Sequence, residues 1–145
     1  MATTKTVGLS AEEKAAARDR VRELKAEAKR GADREAGLKD LLANVAEMPP
    51  ADRVLAERIH AIVIKTAPDL MPKTWYGMPA YANADGKIMC FFQAASKFKV
   101  RYATLGFQPD ARLDEGAMWP TSWAVIKLTA ADEDKIAALI KKAVG

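Results

Sequence analysis

Apolar positions recur along this chain at two different periods, and the point where the period changes divides it into a helical first half and a strand-rich second half. Ala17, Val21, Leu24 and Ala28 fall on one stripe of a helix, and Ser10-Ala11-Glu12-Glu13 ahead of them is a capping box. A helix is therefore predicted over residues 11–30. With two alanines in it, the stripe buries only on the order of a few kcal/mol at about 25 cal/mol per Å². The helix should thus be a loosely docked arm. Lys14, Arg18, Arg22, Lys25 and Lys29 run along one flank, and Asp19, Glu23 and Glu27 along another. Gly31 offers a stop, and a flexible break is expected over 31–36. Leu38, Leu41, Leu42 and Val45 restart the helical period before Met48-Pro49-Pro50 ends it. Asp52 is positioned to cap a third helix with Leu55, Ile59, Ile62 and Val63 on its buried face. That helix should end near Ala67, because Pro68 disfavours helical geometry in the residue before it.

From Trp75 onward the reading turns to strands. Ala82-Asn83-Ala84-Asp85-Gly86 has hairpin chemistry, so strands are expected on both sides of it. The run over 87–92 is apolar on both faces, whereas Lys97-Phe98-Lys99-Val100-Arg101-Tyr102 alternates cleanly between cationic and apolar positions. Further strands are predicted over 104–107 and 122–128. A last helix, capped by Thr129, carries Ile136, Leu139, Ile140 and Val144. Helices, then consecutive hairpin-linked strands, then a closing helix describe an α+β domain: an antiparallel sheet of about five strands with helices on one face, preceded by a charged helix. The division expected is an arm and break over 1–36 and an α+β domain over 37–145.

Composition narrows the function classes. At 145 residues and 50% apolar content, one domain with a real core is expected. The single cysteine, Cys90, cannot close an intrachain disulfide and reads as a small buried hydrophobe. The first ten residues lack a signal-peptide core, and no stretch approaches a membrane span, so a cytoplasmic protein is expected, with no membrane partner. A net charge of +4 from 23 basic and 19 acidic residues is a mild bias. Lys97, Lys99 and Arg101 are candidates for an anion-binding row on one sheet face. The alternation sends Phe98 and Tyr102 to the opposite face, which argues against nucleic acid.

The densest chemistry lies in Trp75-Tyr76-Gly77-Met78-Pro79-Ala80-Tyr81. Gly77 allows a tight bend and Pro79 fixes the exit, while Trp75, Tyr76, Met78 and Tyr81, with Tyr102 and Trp119, could fill a core or line a ligand pocket. No nucleophile with an evident base, phosphate loop or zinc spacing occurs, and one histidine and one cysteine make a nitrogen or sulfur metal site a poor fit. His60, on the flank of its helix, reads as structural. A binding protein is expected rather than an enzyme.

The segment from Trp75 to Tyr81, followed by a short polar turn and Lys87-Ile88-Met89-Cys90-Phe91-Phe92, resembles the YdhG-like family of small bacterial proteins over roughly residues 50 to 143. The resemblance implies a frataxin-like α+β fold and, for some members, a role as an intracellular iron chaperone. Iron held by oxygen ligands would call on a carboxylate ridge. The candidates here are Asp19, Glu23 and Glu27, with Asp132-Glu133-Asp134 and Asp110, Asp114 and Glu115 as further clusters, although the whole chain is basic. The expected partner is therefore a small ligand or a metal ion. The alternative is a protein docked by the charged N-terminal helix.

Overall fold

The computed structural model describes residues 8–30 and 33–145. The expected stop at Gly31 lies outside the described residues. Helix α1, Ala11–Arg30, starts at the predicted capping box: Ser10 Oγ accepts from the Glu13 amide and Glu13 Oε1 from the Ser10 amide. Helix α2, Arg34–Ala46, opens on Asp33, whose side chain accepts from the Glu35 amide, so residues 34–36 of the expected break are helical. Helix α3, Pro50–Thr66, has proline in its first turn, where no backbone donor is needed. Asp52 does not cap it. Its buried carboxylate instead accepts from the amides of Ala95 and Ser96, at 3.2 Å each.

Five strands follow, β1 Met71–Trp75, β2 Met78–Ala82, β3 Ile88–Gln93, β4 Ala103–Phe107 and β5 Ser122–Val125, and helix α4, Ala130–Val144, closes the chain. The sheet is an antiparallel meander in the order β1-β2-β3-β4-β5. Paired residues share a face, so the register places Tyr81, Cys90, Phe92, Leu105, Phe107 and Val125 on one side. These form one core with Leu41 and Val45 of α2, Leu55, Ile59 and Val63 of α3, and Ile136 and Ile140 of α4. The other side carries Ala80, Phe91 and Gly106 in register. The Phe91 ring lies on Gly106, where a Cβ would strike it, and packs 5.4 Å from Trp75.

Two parts of the strand reading are corrected. Strand β1 lies ahead of Trp75, where the strands were expected to begin, and it contains Pro72. The two-residue hairpin makes Trp75 and Met78 a hydrogen-bonded pair, so Pro72 and Pro79 fall at non-hydrogen-bonded positions where β1–β2 pairing asks for no proline donor. Pro72 sits on the outer edge of the sheet, and α2 covers that edge closely enough that a Cβ on Gly37 would collide with Pro72 O. The predicted strand over 97–102 does not form. Once Asp52 has captured the Ala95 and Ser96 amides, Ala95–Lys97 makes a 3-10 turn, and Lys99 adopts a left-handed φ of 54°. Lys97, Lys99 and Arg101 therefore do not share a sheet face.

Candidate functional site at the hairpin turn

The bend in the aromatic segment is a two-residue turn, Tyr76-Gly77, joining β1 to β2, with φ of 54° at Tyr76 and 74° at Gly77. Positive φ at both central positions is the geometry that matches the twist of a β-hairpin. Gly77 adopts it freely, and Tyr76 does so at a cost. The Tyr76 ring stands edge-on to Trp75 at 5.1 Å, with the Arg20 guanidinium 5.9 Å from its centroid. The turn thus points two adjacent N–H groups away from the sheet, and both donate to one carboxylate. The Tyr76 amide meets Glu23 Oε1 and the Gly77 amide meets Glu23 Oε2, each at 2.9 Å. On the other side of the turn, the Asn44 side chain of α2 donates to Gly77 O at 2.9 Å.

Glu23 is one of four α1 carboxylates that engage the rest of the fold. Glu12 meets Lys99 at 3.1 Å, Asp19 meets Lys97 at 3.7 Å, and Glu27 meets Lys73 at 2.9 Å. Asp19 also pairs with Arg22, and Arg20 reaches Glu23 at 3.3 Å and Glu27 at 3.8 Å. The Glu12 pKa is lowered, first by its own amide at the helix start and then by Lys99. The Glu23 side chain is only 9% exposed, and Lys97 and Lys73 are also largely covered. At the α1 contact with the turn a Cβ on Gly77 would strike Asp19 Oδ2 and lie 2.7 Å from Lys97 Nζ, so the ends of those two side chains would have to move aside.

This docking inverts the expected orientation of α1. Most of the stripe predicted to be buried lies outside: Val21 is 52% and Leu24 50% exposed, Ala28 is exposed as well, and Ala17 is half-buried. The charged row faces inward, and Ala16 is the buried apolar residue of the described part of the helix. The physical reason is that the hairpin end offers amides and lysines that satisfy carboxylates, whereas the stripe has too little area to compete for the sheet.

The aromatic residues admit two readings, a packed core or a ligand pocket, and the six candidates do not gather around one cavity. Tyr81 lies in the core, its hydroxyl 2.8 Å from His60 Nδ1. Trp119 packs against that core from the β4–β5 loop. Tyr102 is exposed beneath the Arg101 guanidinium, while Trp75 and Tyr76 stand at the hairpin. Met78 alone of the six lines a small cavity of about 180 Å³, together with Asn44, Met48, Phe92 and Lys97. Burial pushes the Tyr81 hydroxyl well up and the Cys90 thiol up to about 12, and burial followed by the nearby Arg34 charge lowers the His60 pKa. Tyr81 and Cys90 are packed core groups, and His60 is half-buried beside them.

The candidate metal carboxylates do not converge. Asp19, Glu23 and Glu27 each turn to a different cation or amide, and no group of three His, Cys, Asp or Glu residues among the described residues could hold a metal ion. Asp132 serves the Thr129 capping box, whose hydrogen bonds lower its pKa, and Glu133 pairs with Arg58. Asp110 and Asp114 line a wide cleft of about 910 Å³ at the far end of the sheet with Asp69, Asp85 and Arg112. Lys73, Glu12 and Asn44 were missed as site residues because their partners lie far away in sequence, and nothing local marks them. No helix among the described residues is long and apolar enough to cross a membrane. No family model, curated protein or solved structure matches this chain.

Proposed function

We propose that the protein is an interaction module that takes an acidic amphipathic segment of a partner on the outward face of α1. The observation that carries this reading is the exposed pair Val21 and Leu24 on a helix whose carboxylates are turned inward. Helical spacing places exposed Lys14, Arg18, Lys25 and Lys29 beside that stripe, and none of the four has an ion-pair partner among the described residues. An apolar strip with a cationic border suits a helix of complementary pattern, anchored by side chains in the strip and oriented by its acidic flank. An acidic amphipathic test peptide should shift the amide signals of Val21 and Leu24. The double variant Val21→Glu, Leu24→Glu should lose that response while melting at the wild-type temperature. Binding of equal strength by the double variant would refute the reading.

The iron role implied by the YdhG-like resemblance would need carboxylates left free for a hard cation, and Asp19, Glu23 and Glu27 are committed within the fold. A second reading, a small-ligand binder, draws on the 910 Å³ cleft, whose lining includes Asp69, Asp85, Asp110 and Asp114 with Arg112, and whose wall carbonyls Pro68 O and Leu70 O accept from Arg34. The ends of α3 and α4 also reach it through Thr66 and Val144, so helix C-termini add to its negative field. An organic cation fits such a cleft better than a bare metal ion. Separate titrations with a short diamine and with ferrous iron, read at the Asp85 and Asp110 amides, distinguish the two; silence in both removes this reading.

A further inference from the structure

The groove beneath α1 is closed by polar chemistry rather than by apolar area. Four carboxylates on one helix face meet Lys99, Lys97, the paired Tyr76 and Gly77 amides, and Lys73, with Ala16 as the buried apolar residue of the described helix. From Glu12 to Glu27 these contacts run roughly 22 Å along the helix at 1.5 Å per residue, too long for a single small anion. The donor turn holds Tyr76 in a left-handed conformation that L-residues rarely adopt, and successive N–H groups in such a turn make an anion-binding concavity. The hold on α1 is accordingly strong in specificity and weak in buried area, as expected for an element that can leave without the core opening.

We propose that this groove is a receptor for an acidic helix supplied by a partner protein, and that α1 is its displaceable cis occupant. The partner helix carries carboxylates spaced as residues 12, 19, 23 and 27 are in α1, with a small residue in the place of Ala16. One carboxylate binds both turn amides, and the others meet Lys99, Lys97 and Lys73. The proposal concerns the inward face of α1 and does not rest on the reading of its outward face. A cis occupant lowers the apparent affinity of a trans ligand by the fraction of molecules in which the groove is open, so loosening α1 should raise that affinity.

The test uses the full chain carrying Glu23→Lys and a fluorescent peptide with the sequence of residues 8–30. The variant is expected to bind the peptide at least ~10-fold more tightly than the wild type does, because its own helix no longer satisfies the turn. Peptide binding should return the Tyr76 and Gly77 amide signals of the variant toward their wild-type positions, and added salt should weaken the complex. A peptide carrying Glu23→Lys should not bind, and one carrying Val21→Gln and Leu24→Gln should bind unchanged, which separates this groove from the outward face. Equal affinity of the two full chains, or binding indifferent to Glu23→Lys in the peptide, overturns the proposal. If the variant chain does not fold, native-state hydrogen exchange of the wild type decides. Amides of α1 that exchange much faster than those of α3 and α4 support local release, and equal protection overturns it.

Discussion

Replacing Gly77 by alanine tests the seating of α1 on the hairpin, and Gly86→Ala supplies the reference. Both glycines have positive φ, 74° and 80°, so each alanine incurs the left-handed penalty of about 1–2 kcal/mol. At Gly86 that is the whole cost, because nothing lies within 4 Å of the added Cβ. At Gly77 the new methyl group displaces the Asp19 carboxylate and the Lys97 ammonium. Their partly buried pair, at 3.7 Å, contributes up to about 1 kcal/mol. Gly77→Ala should therefore destabilise by about 2–3 kcal/mol against about 1–2 for Gly86→Ala, a difference of about 1. At roughly 3 °C per kcal/mol, the Tm of Gly77→Ala should fall about 3 °C further than that of Gly86→Ala. Urea unfolding at constant m-value gives the same difference. In the double variant Asp19→Ala, Gly77→Ala, the cost of the glycine substitution should drop toward the Gly86 figure. A Gly77→Ala cost no larger than that of Gly86→Ala would show that α1 does not rest on the turn in solution.

Other consequences concern the core. Asp52→Ala leaves the Ala95 and Ser96 amides without their carboxylate and should cost about 3 kcal/mol in chemical unfolding, with amide shifts concentrated at residues 95–100; a cost below about 1 would exclude the Asp52 clamp. The lowered His60 pKa means that folding disfavours the imidazolium, so this contribution is fully present above the ordinary value near 6.5 and is lost as pH falls through the lowered folded value. His60→Gln should flatten the stability profile in that acid window, and an unchanged profile would assign the pH dependence to other groups. Cys90, fully buried with its pKa raised to about 12, should resist a thiol reagent in native buffer and react completely in denaturant. Rapid labelling of the native protein would contradict its burial.

Elements governed by neighbours in sequence were legible from sequence. The capping boxes at Ser10 and Thr129 start their helices because donor and acceptor lie three residues apart. Asn83 organises its turn by accepting from the Asp85 and Lys87 amides, and Gly86 supplies the positive φ. The α+β class and the five-strand count were correct, but membership in the sheet was not. The alternation over 97–102 resembles a strand until Asp52, forty-odd residues upstream, captures the preceding amides. Strand β1 hides behind Pro72, which is harmless only because β1 forms an edge, and that edge is covered by α2.

The aromatic segment shows the same division at the candidate site. Its sequence allowed a tight bend at Gly77, with Pro79 fixing the exit, since glycine tolerates what other residues resist. Only the tertiary structure decided what that turn faces. Hydrophobic periodicity placed Val21 and Leu24 against the protein, yet the helix rests on Glu12, Asp19, Glu23 and Glu27. A thin apolar stripe gains little wherever it packs, whereas a carboxylate withdrawn from water must meet amides or cations. Those donors come from Lys73, Tyr76, Gly77, Lys97 and Lys99, residues brought to one end of the sheet by its register and by the turn after β3.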